Sequence, residues 1–112
     1  MPAAPGDFLP LTHLLYVVLL SLAEESSHPY ELVKRIRERS EGRIDPGTGS
    51  FYSVLAQAER QGLIREGASA APRRHVYELA PLGRRVLAAE AERLAEQIKA
   101  TRAALVPEKK RP

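Results

Sequence analysis

Apolar residues recur at helical spacing in four stretches of the chain, interrupted once by a stretch that alternates. Leu11, Leu14, Leu15, Val18, Leu19 and Leu22 lie at three- and four-residue steps, and Tyr16, Val17 and Leu20 carry the apolar surface nearly all round. A helix apolar on every side is a central, buried one. Pro10 stands where its first turn would begin, because a missing N–H costs nothing there. The helix is expected to end near Glu25. A second opens at Ser27-His28-Pro29, with Ser27 or His28 as the cap and Pro29 in the first turn. Leu32, Val33 and Ile36 form its buried stripe, and Glu31–Arg35 and Lys34–Glu38 are i,i+4 pairs on the outside. Gly42 reads as its left-handed C-cap.

Asp45-Pro46-Gly47-Thr48-Gly49-Ser50 is a turn cluster, with Thr48 as the expected cap of a third helix that runs to about Gln61, where Gly62 stops it. Phe51, Val54, Leu55 and Ala58 lie at i, i+3, i+4 and i+7, so one face is buried. The opposite face offers Ser50, Tyr52, Ser53, Ala56, Gln57 and Arg60. Residues 63–66 and 73–79 are short and partly alternating, and the segment between them is rich in Gly, Ala and Ser. They predict a β-hairpin, with His75, Tyr77 and Leu79 on one face and Val76 on the other. Ala80-Pro81 starts a last helix that reaches Leu105. Along it Leu87, Ala91, Leu94, Ile98, Thr101 and Leu105 are separated by alternating steps of four and three, a heptad seam, while Glu90, Arg93, Glu96, Lys99 and Arg102 fill other faces.

The expected organisation is therefore a flexible arm over residues 1–9, a domain over 10–80, a C-terminal dimerisation helix over 81–105, and a basic, disordered tail over 106–112. The fold class is mainly α, with a small β component. A chain of 112 residues suffices for one domain and a helical appendage. Composition narrows the chemistry. There is no cysteine, which excludes disulfides, Cys-ligated zinc and a thiol nucleophile. His13, His28 and His75 match no ligand spacing, so no metal or other cofactor is expected. Ser26, Ser27, Ser50 and Ser53 lack a nucleophile-elbow context, and 47–50 lacks the Lys of a phosphate-binding loop, so an enzyme is not expected. The first ten residues carry no Lys or Arg, and the longest apolar run is 14–20. A secretory n-region is basic and a membrane span needs about twenty apolar residues, so a cytoplasmic location, away from the membrane, is expected.

Three helices followed by a hairpin is the order of a winged helix-turn-helix, whose third helix enters a major groove and whose hairpin touches phosphate or minor groove. The net charge of +3 permits a nucleic-acid partner without establishing one. Placement decides more. The third helix pairs an apolar stripe with a face of hydroxyl, amide and guanidinium groups able to reach base edges and phosphates, Glu59 being its only acid. The hairpin adds Arg65, Arg73 and Arg74, and the second helix presents its positive N-terminal pole near His28 and Tyr30. The candidate contacts to double-stranded DNA are thus His28, Tyr30, Thr48, Ser50, Tyr52, Ser53, Gln57, Arg60, Arg65, Arg73 and Arg74. Exposed, the seam residues Leu87, Ala91, Leu94, Ile98 and Leu105 would leave an apolar band in water, so a second copy is their expected destination. The thin positive charge of the third helix motivates an alternative, a winged helix that binds another protein and not a specific DNA sequence.

Ser27-His28-Pro29-Tyr30-Glu31-Leu32, then Gly49-Ser50-Phe51-Tyr52 with Val54-Leu55, then Gln61-Gly62-Leu63-Ile64, then Tyr77-Glu78-Leu79-Ala80-Pro81-Leu82-Gly83-Arg84 occur in this order. Together these motifs resemble the PadR family of prokaryotic transcriptional regulators, over about residues 11–88. The resemblance implies a winged-helix DNA-binding domain, a C-terminal helix that builds a homodimer, and a palindromic promoter element bound usually as a repressor and often released by a small-molecule effector. By motif position it places DNA-facing residues at Tyr30, Ser50, Tyr52 and the wing arginines. The family often has Gly where Pro29 stands, and this chain resembles its shorter members.

Overall fold

A computed structural model describes residues 4–67 and 75–107. Four α-helices and one antiparallel hairpin follow a short 3-10 turn: the turn Pro5–Phe8, α1 His13–Glu24, α2 Pro29–Arg39, α3 Thr48–Arg60, β1 Ile64–Gly67, β2 Val76–Leu79 and α4 Pro81–Leu105. Helix α1 is the hub and packs on α2, α3, α4 and β2. Val17, Val18, Leu19 and Leu22 of α1 meet Leu32 and Ile36 of α2, Phe51, Leu55 and Ala58 of α3, Leu63, Ile64 and Leu79 of the hairpin and Val86 of α4 in one core. Burying whole side chains of this kind stabilises by about 1.5–3 kcal/mol each.

The caps explain where the helices begin and end. Thr12, not Pro10, opens α1: its hydroxyl accepts the Leu15 N–H at 3.2 Å. Where a loose arm is expected over residues 1–9, Pro5–Phe8 form a turn closed by the Asp7 carboxylate on the Ala4 N–H, and Phe8 and Leu9 pack on the core. Arg35 finishes α1 from outside, donating to the Ser21 carbonyl at 2.7 Å and lying beside Glu24 and Glu25. His28 caps α2 through Nδ1, which accepts the Tyr30 N–H. At the other end of α2 the left-handed residue after the cap is Glu41 (φ 55°), with Gly42 also left-handed behind it. The Gly42 N–H reaches the Arg37 carbonyl and the Glu41 N–H that of Glu38, a paired closure that the sequence assigns to Gly42 alone. Gly62 makes the same closure on α3, with Leu63 N–H on the Ala58 carbonyl. Helix α3 is capped by Gly47 and not Thr48, which is instead its first helical residue.

The hairpin pairs Ile64 with Leu79, Arg65 with Glu78, Glu66 with Tyr77 and Gly67 with Val76. Ser27, between α1 and α2, exchanges both backbone hydrogen bonds with Tyr77 and so acts as a one-residue third strand. That bridge fixes the start of α2 against the wing. The hairpin tip, including Arg73 and Arg74, lies outside the described residues, as does the basic tail from Glu108. The first turn of α4 approaches the residue just before β1 so closely that a Cβ on Gly83 would fall 2.0 Å from the Leu63 carbonyl oxygen.

One buried charge departs from the sequence reading. Glu90, assigned to an outer face, is 1% exposed. Its carboxylate accepts the Leu11 N–H at 2.7 Å and the Arg93 guanidinium at 2.5 Å, tying the segment before α1 to α4. The Arg93 hydrogen bond, with that from Leu11, holds its pKa below the usual carboxylate range although burial pushes it up.

Candidate nucleic-acid interface

Helix α3 has the two faces its sequence predicts. Phe51, Leu55 and Ala58 are buried, whereas Thr48, Ser50, Tyr52, Ser53, Ala56, Gln57, Glu59 and Arg60 are exposed. The buried Phe51 ring anchors the helix, and Tyr52 stands edge-on to it at 5.7 Å with half of its surface in solvent. Ser50, Tyr52, Ser53, Gln57 and Arg60 make no side-chain hydrogen bond or ion pair among the described residues. Their donors and acceptors therefore face water on a rigid element. The N-terminal pole of α3 adds to this. Thr12 and His28 cap α1 and α2 with side chains, but Gly47 has none to offer. The first N–H groups of α3 are left pointing outward, as at sites that accept phosphate oxygens.

The remaining candidate contacts are placed unevenly. Tyr30, on the first turn of α2, is 76% exposed. His28 is half-buried and its Nδ1 is committed to the cap, so only its other nitrogen is left for a partner. Arg65 is exposed, but its Nε donates to Glu78 Oε1 at 2.7 Å across the hairpin. His75 stands 3.2 Å from Glu66 in the same way. Glu78 thus offsets the positive charge of Arg65, and Glu66 adds a further carboxylate to the described part of the wing. Sequence reasoning missed Glu66 and Glu78 because the pairing register, not the residue order, sets who faces whom. It also missed Tyr77 as the joint between the wing and the segment that opens α2. Burial, and then the nearby carboxylates of Glu59 and Glu66, raise the Tyr77 pKa.

The seam of α4 divides along its length. Leu87 and Leu94 are half-buried, Leu87 against this chain's own core, Ala91 is exposed, and Ile98 and Leu105 are 50% and 77% exposed. From Ala95 onward every residue of the helix is exposed. Among the described residues no group of three or more His, Asp or Glu is close enough to hold a metal ion, and no helix is long and apolar enough to cross a membrane.

Comparison with known proteins agrees with this geometry. Residues 18–89 match the model of the transcriptional regulator PadR-like family. Among curated proteins, none is significantly similar in sequence. Solved structures share the fold. A PadR family transcription regulator from Clostridium difficile superposes with TM-score 0.73 at 22% identity, over 85% of this chain and 100% of that one. A transcriptional regulator from Clostridium thermocellum gives 0.72 at 23%, over 84% and 91%. A PadR-like transcription factor from Bacteroides fragilis gives 0.64 at 21%, over 83% and 89%. The mainly helical winged-helix fold is common to them, and the matched segment runs from the middle of α1 through the wing into α4. With that match covering more than half of its length, the chain belongs to the PadR-like family of transcriptional regulators and is not an enzyme.

Proposed function

We propose that the protein is a homodimeric regulator that binds a specific double-stranded DNA sequence, a palindromic promoter element, and represses from it in the cytoplasm at the nucleoid. One observation carries the reading: α3 is clamped through Phe51, Leu55 and Ala58 while Ser50, Tyr52, Ser53, Gln57 and Arg60 stand unpaired on its outer face. A rigid helix with a free polar face is what base-edge readout requires. In this reading Tyr52, Ser53 and Gln57 face base edges. Ser50, Thr48 and the open pole of α3 face phosphate, and Tyr30, Arg60 and the wing arginines Arg65, Arg73 and Arg74 position the duplex. His28 contributes by orienting Tyr30. A two-fold dimer built on Ala91, Leu94, Ile98 and Leu105 presents two copies of α3 to grooves about 34 Å apart, so the site is an inverted repeat. An effector that loosens this arrangement would relieve repression.

Selection from a random DNA pool, followed by gel shifts at several salt concentrations, tests the reading. An inverted repeat should emerge, and its affinity should fall steeply with salt because phosphate contacts release counterions. A folded protein that selects no sequence overturns it. The wing's carboxylates, Glu78 on Arg65 and Glu66 beside His75, favour one other reading. In that reading α3 and the wing dock another protein, and an empty selection is the result that supports it.

A further inference from the structure

A groove of about 450 Å3 lies between the N-terminal segment and the flank of α3. Its walls are Phe8, Pro10, Leu11, Leu15 and Val54, and its rim is Asp7, Thr12, Ser53, Gln57 and Gln61. We infer that this groove binds a small amine carrying an apolar ring, and that its occupant competes with DNA for α3. The competition rests on the proposed role of α3; the binding site does not.

The occupant's chemistry follows from the walls. The volume is at the low end of ligand pockets, which run about 300–1,000 Å3, and fits a molecule of one or two rings. The apolar residues come from three separate elements, so a flat apolar body touches all of them at once. Among the described residues the rim has one charge, Asp7, and no Lys or Arg, in a chain that has 17 of them. An acidic ligand therefore finds no counter-ion there, whereas an ammonium does. The Asp7 carboxylate uses one oxygen on the Ala4 N–H, and its second keeps acceptor capacity for an ammonium. Thr12 accepts the Leu15 N–H and so retains its own O–H to donate. Ser53, Gln57 and Gln61 have no side-chain partner among the described residues.

Position gives the consequence. Ser53 and Gln57 belong at once to this rim and to the outer face of α3. A ligand that engages their hydrogen-bonding groups removes them from a duplex. The opposite wall is not free to drift away, because Leu11 is fastened by its N–H to the buried Glu90 of α4. The groove thus joins the helix proposed to read DNA to the helix proposed to pair two copies.

Three probes with one ring system separate charge from shape: tryptamine, 3-methylindole and indole-3-acetate. Titrated without DNA into the full-length, nitrogen-15-labelled protein, tryptamine should move the Leu15, Val54 and Gln57 amides saturably. Indole-3-acetate should bind up to about fivefold more weakly than tryptamine, as a surface charge contact is worth up to about 1 kcal/mol. Asp7→Asn should weaken tryptamine by a similar factor and leave 3-methylindole unchanged. Equal binding of amine and acid, or shifts elsewhere on the molecule, overturns the assignment. So does loss of the shifts as protein concentration rises, which would mean that a second copy fills the groove. With the selected DNA present, tryptamine should raise the protein concentration needed for half-saturation; an unchanged value overturns the competition. A protein that selects no DNA sequence removes the proposed function, while the amide shifts still decide the site.

Discussion

Gly83 shows how little room single residues leave where elements meet. A methyl group there would lie 2.0 Å from the Leu63 carbonyl oxygen and 2.8 Å from Leu79 Cδ1, and the same carbonyl accepts the Ala80 N–H that ends the hairpin. Alanine gains up to about 1 kcal/mol over glycine inside a helix. Forcing α4 off β1 costs about 3 kcal/mol or more, the upper range of overpacking. Gly83→Ala is therefore expected to destabilise by at least about 2 kcal/mol in urea denaturation, the difference of those two effects. Glu41 has the opposite mismatch. At φ 55° it holds a conformation that costs a residue with a Cβ about 1–2 kcal/mol, and glycine avoids this at a smaller entropic cost. Glu41→Gly should raise the denaturation midpoint by the equivalent of about 0.5–1 kcal/mol with an unchanged slope. For Glu90 the prediction is a pH dependence. Its carboxyl titrates lower in the folded protein than the usual 4.3 or so of an unfolded glutamate, so its ionised form stabilises the fold. That contribution is complete above the unfolded value and disappears as pH falls through the folded one. Glu90→Gln should cost about 1.5 kcal/mol at neutral pH, in line with a charge-assisted hydrogen bond, and the gap to the parent should close at the acid end of the range. A gap that stays constant with pH would mean that the carboxylate charge is irrelevant.

At the scale of elements, α3 joins stability to the proposed recognition, and its two faces should respond separately. Tyr52→Ala and Gln57→Ala touch exposed side chains, so thermal stability should hardly move, as is usual for surface changes. Specific DNA affinity should fall by about 1–3 kcal/mol for a lost base-edge contact, with competitor binding much less affected. Equal loss of both would assign these residues to general affinity only. This helix was legible from its sequence because a period of three and four residues states which side is buried, and Phe51, Leu55 and Ala58 obey it. Order and type of the other helices were legible for the same reason. The ends were less so. Pro10 and Thr48 are both acceptable near helix starts, and the choice of Thr12 and Gly47 depends on where α1 and α3 meet the rest of the molecule. Contacts between distant residues were not legible at all. Arg65 reads as a free wing cation until the register sets Glu78 opposite it, and Glu90 reads as a surface acid until Leu11, far away in the chain, arrives beside it. The groove beside α3 belongs to the same class, since it exists only because Phe8 and Leu11 are brought alongside Val54.

On the scale of the whole molecule the dominant feature is asymmetry. The protein measures 63 × 39 × 23 Å, and the exposed part of α4 runs away from the domain that anchors its beginning. The helix spans 25 residues, about 37 Å at 1.5 Å per residue, and the domain covers only its first half. An isolated helical stretch this short is marginal in water, so packing against another surface is what holds such a segment straight. Its own sequence supplies the apolar side, with Ile98 and Leu105 in register with the half-buried Leu94 and Leu87. If a second copy covers that side, charges placed on it must separate the copies without disturbing the domain, because neither Ile98 nor Leu105 belongs to the core around α1. Ile98→Glu with Leu105→Glu is thus expected to shift the protein from dimer to monomer in sedimentation and to leave the cooperative unfolding of the α1–α3 core intact. Half-sites should then be bound independently. The affinity for an inverted repeat should drop by about a hundredfold or more, the lower end of the gain from tethering two binding modules, while affinity for a single half-site stays the same. A variant that remains dimeric would move the contact to the half-buried part of the seam. A variant that becomes monomeric yet keeps full affinity for the repeat would remove the two-fold geometry from the mechanism of recognition.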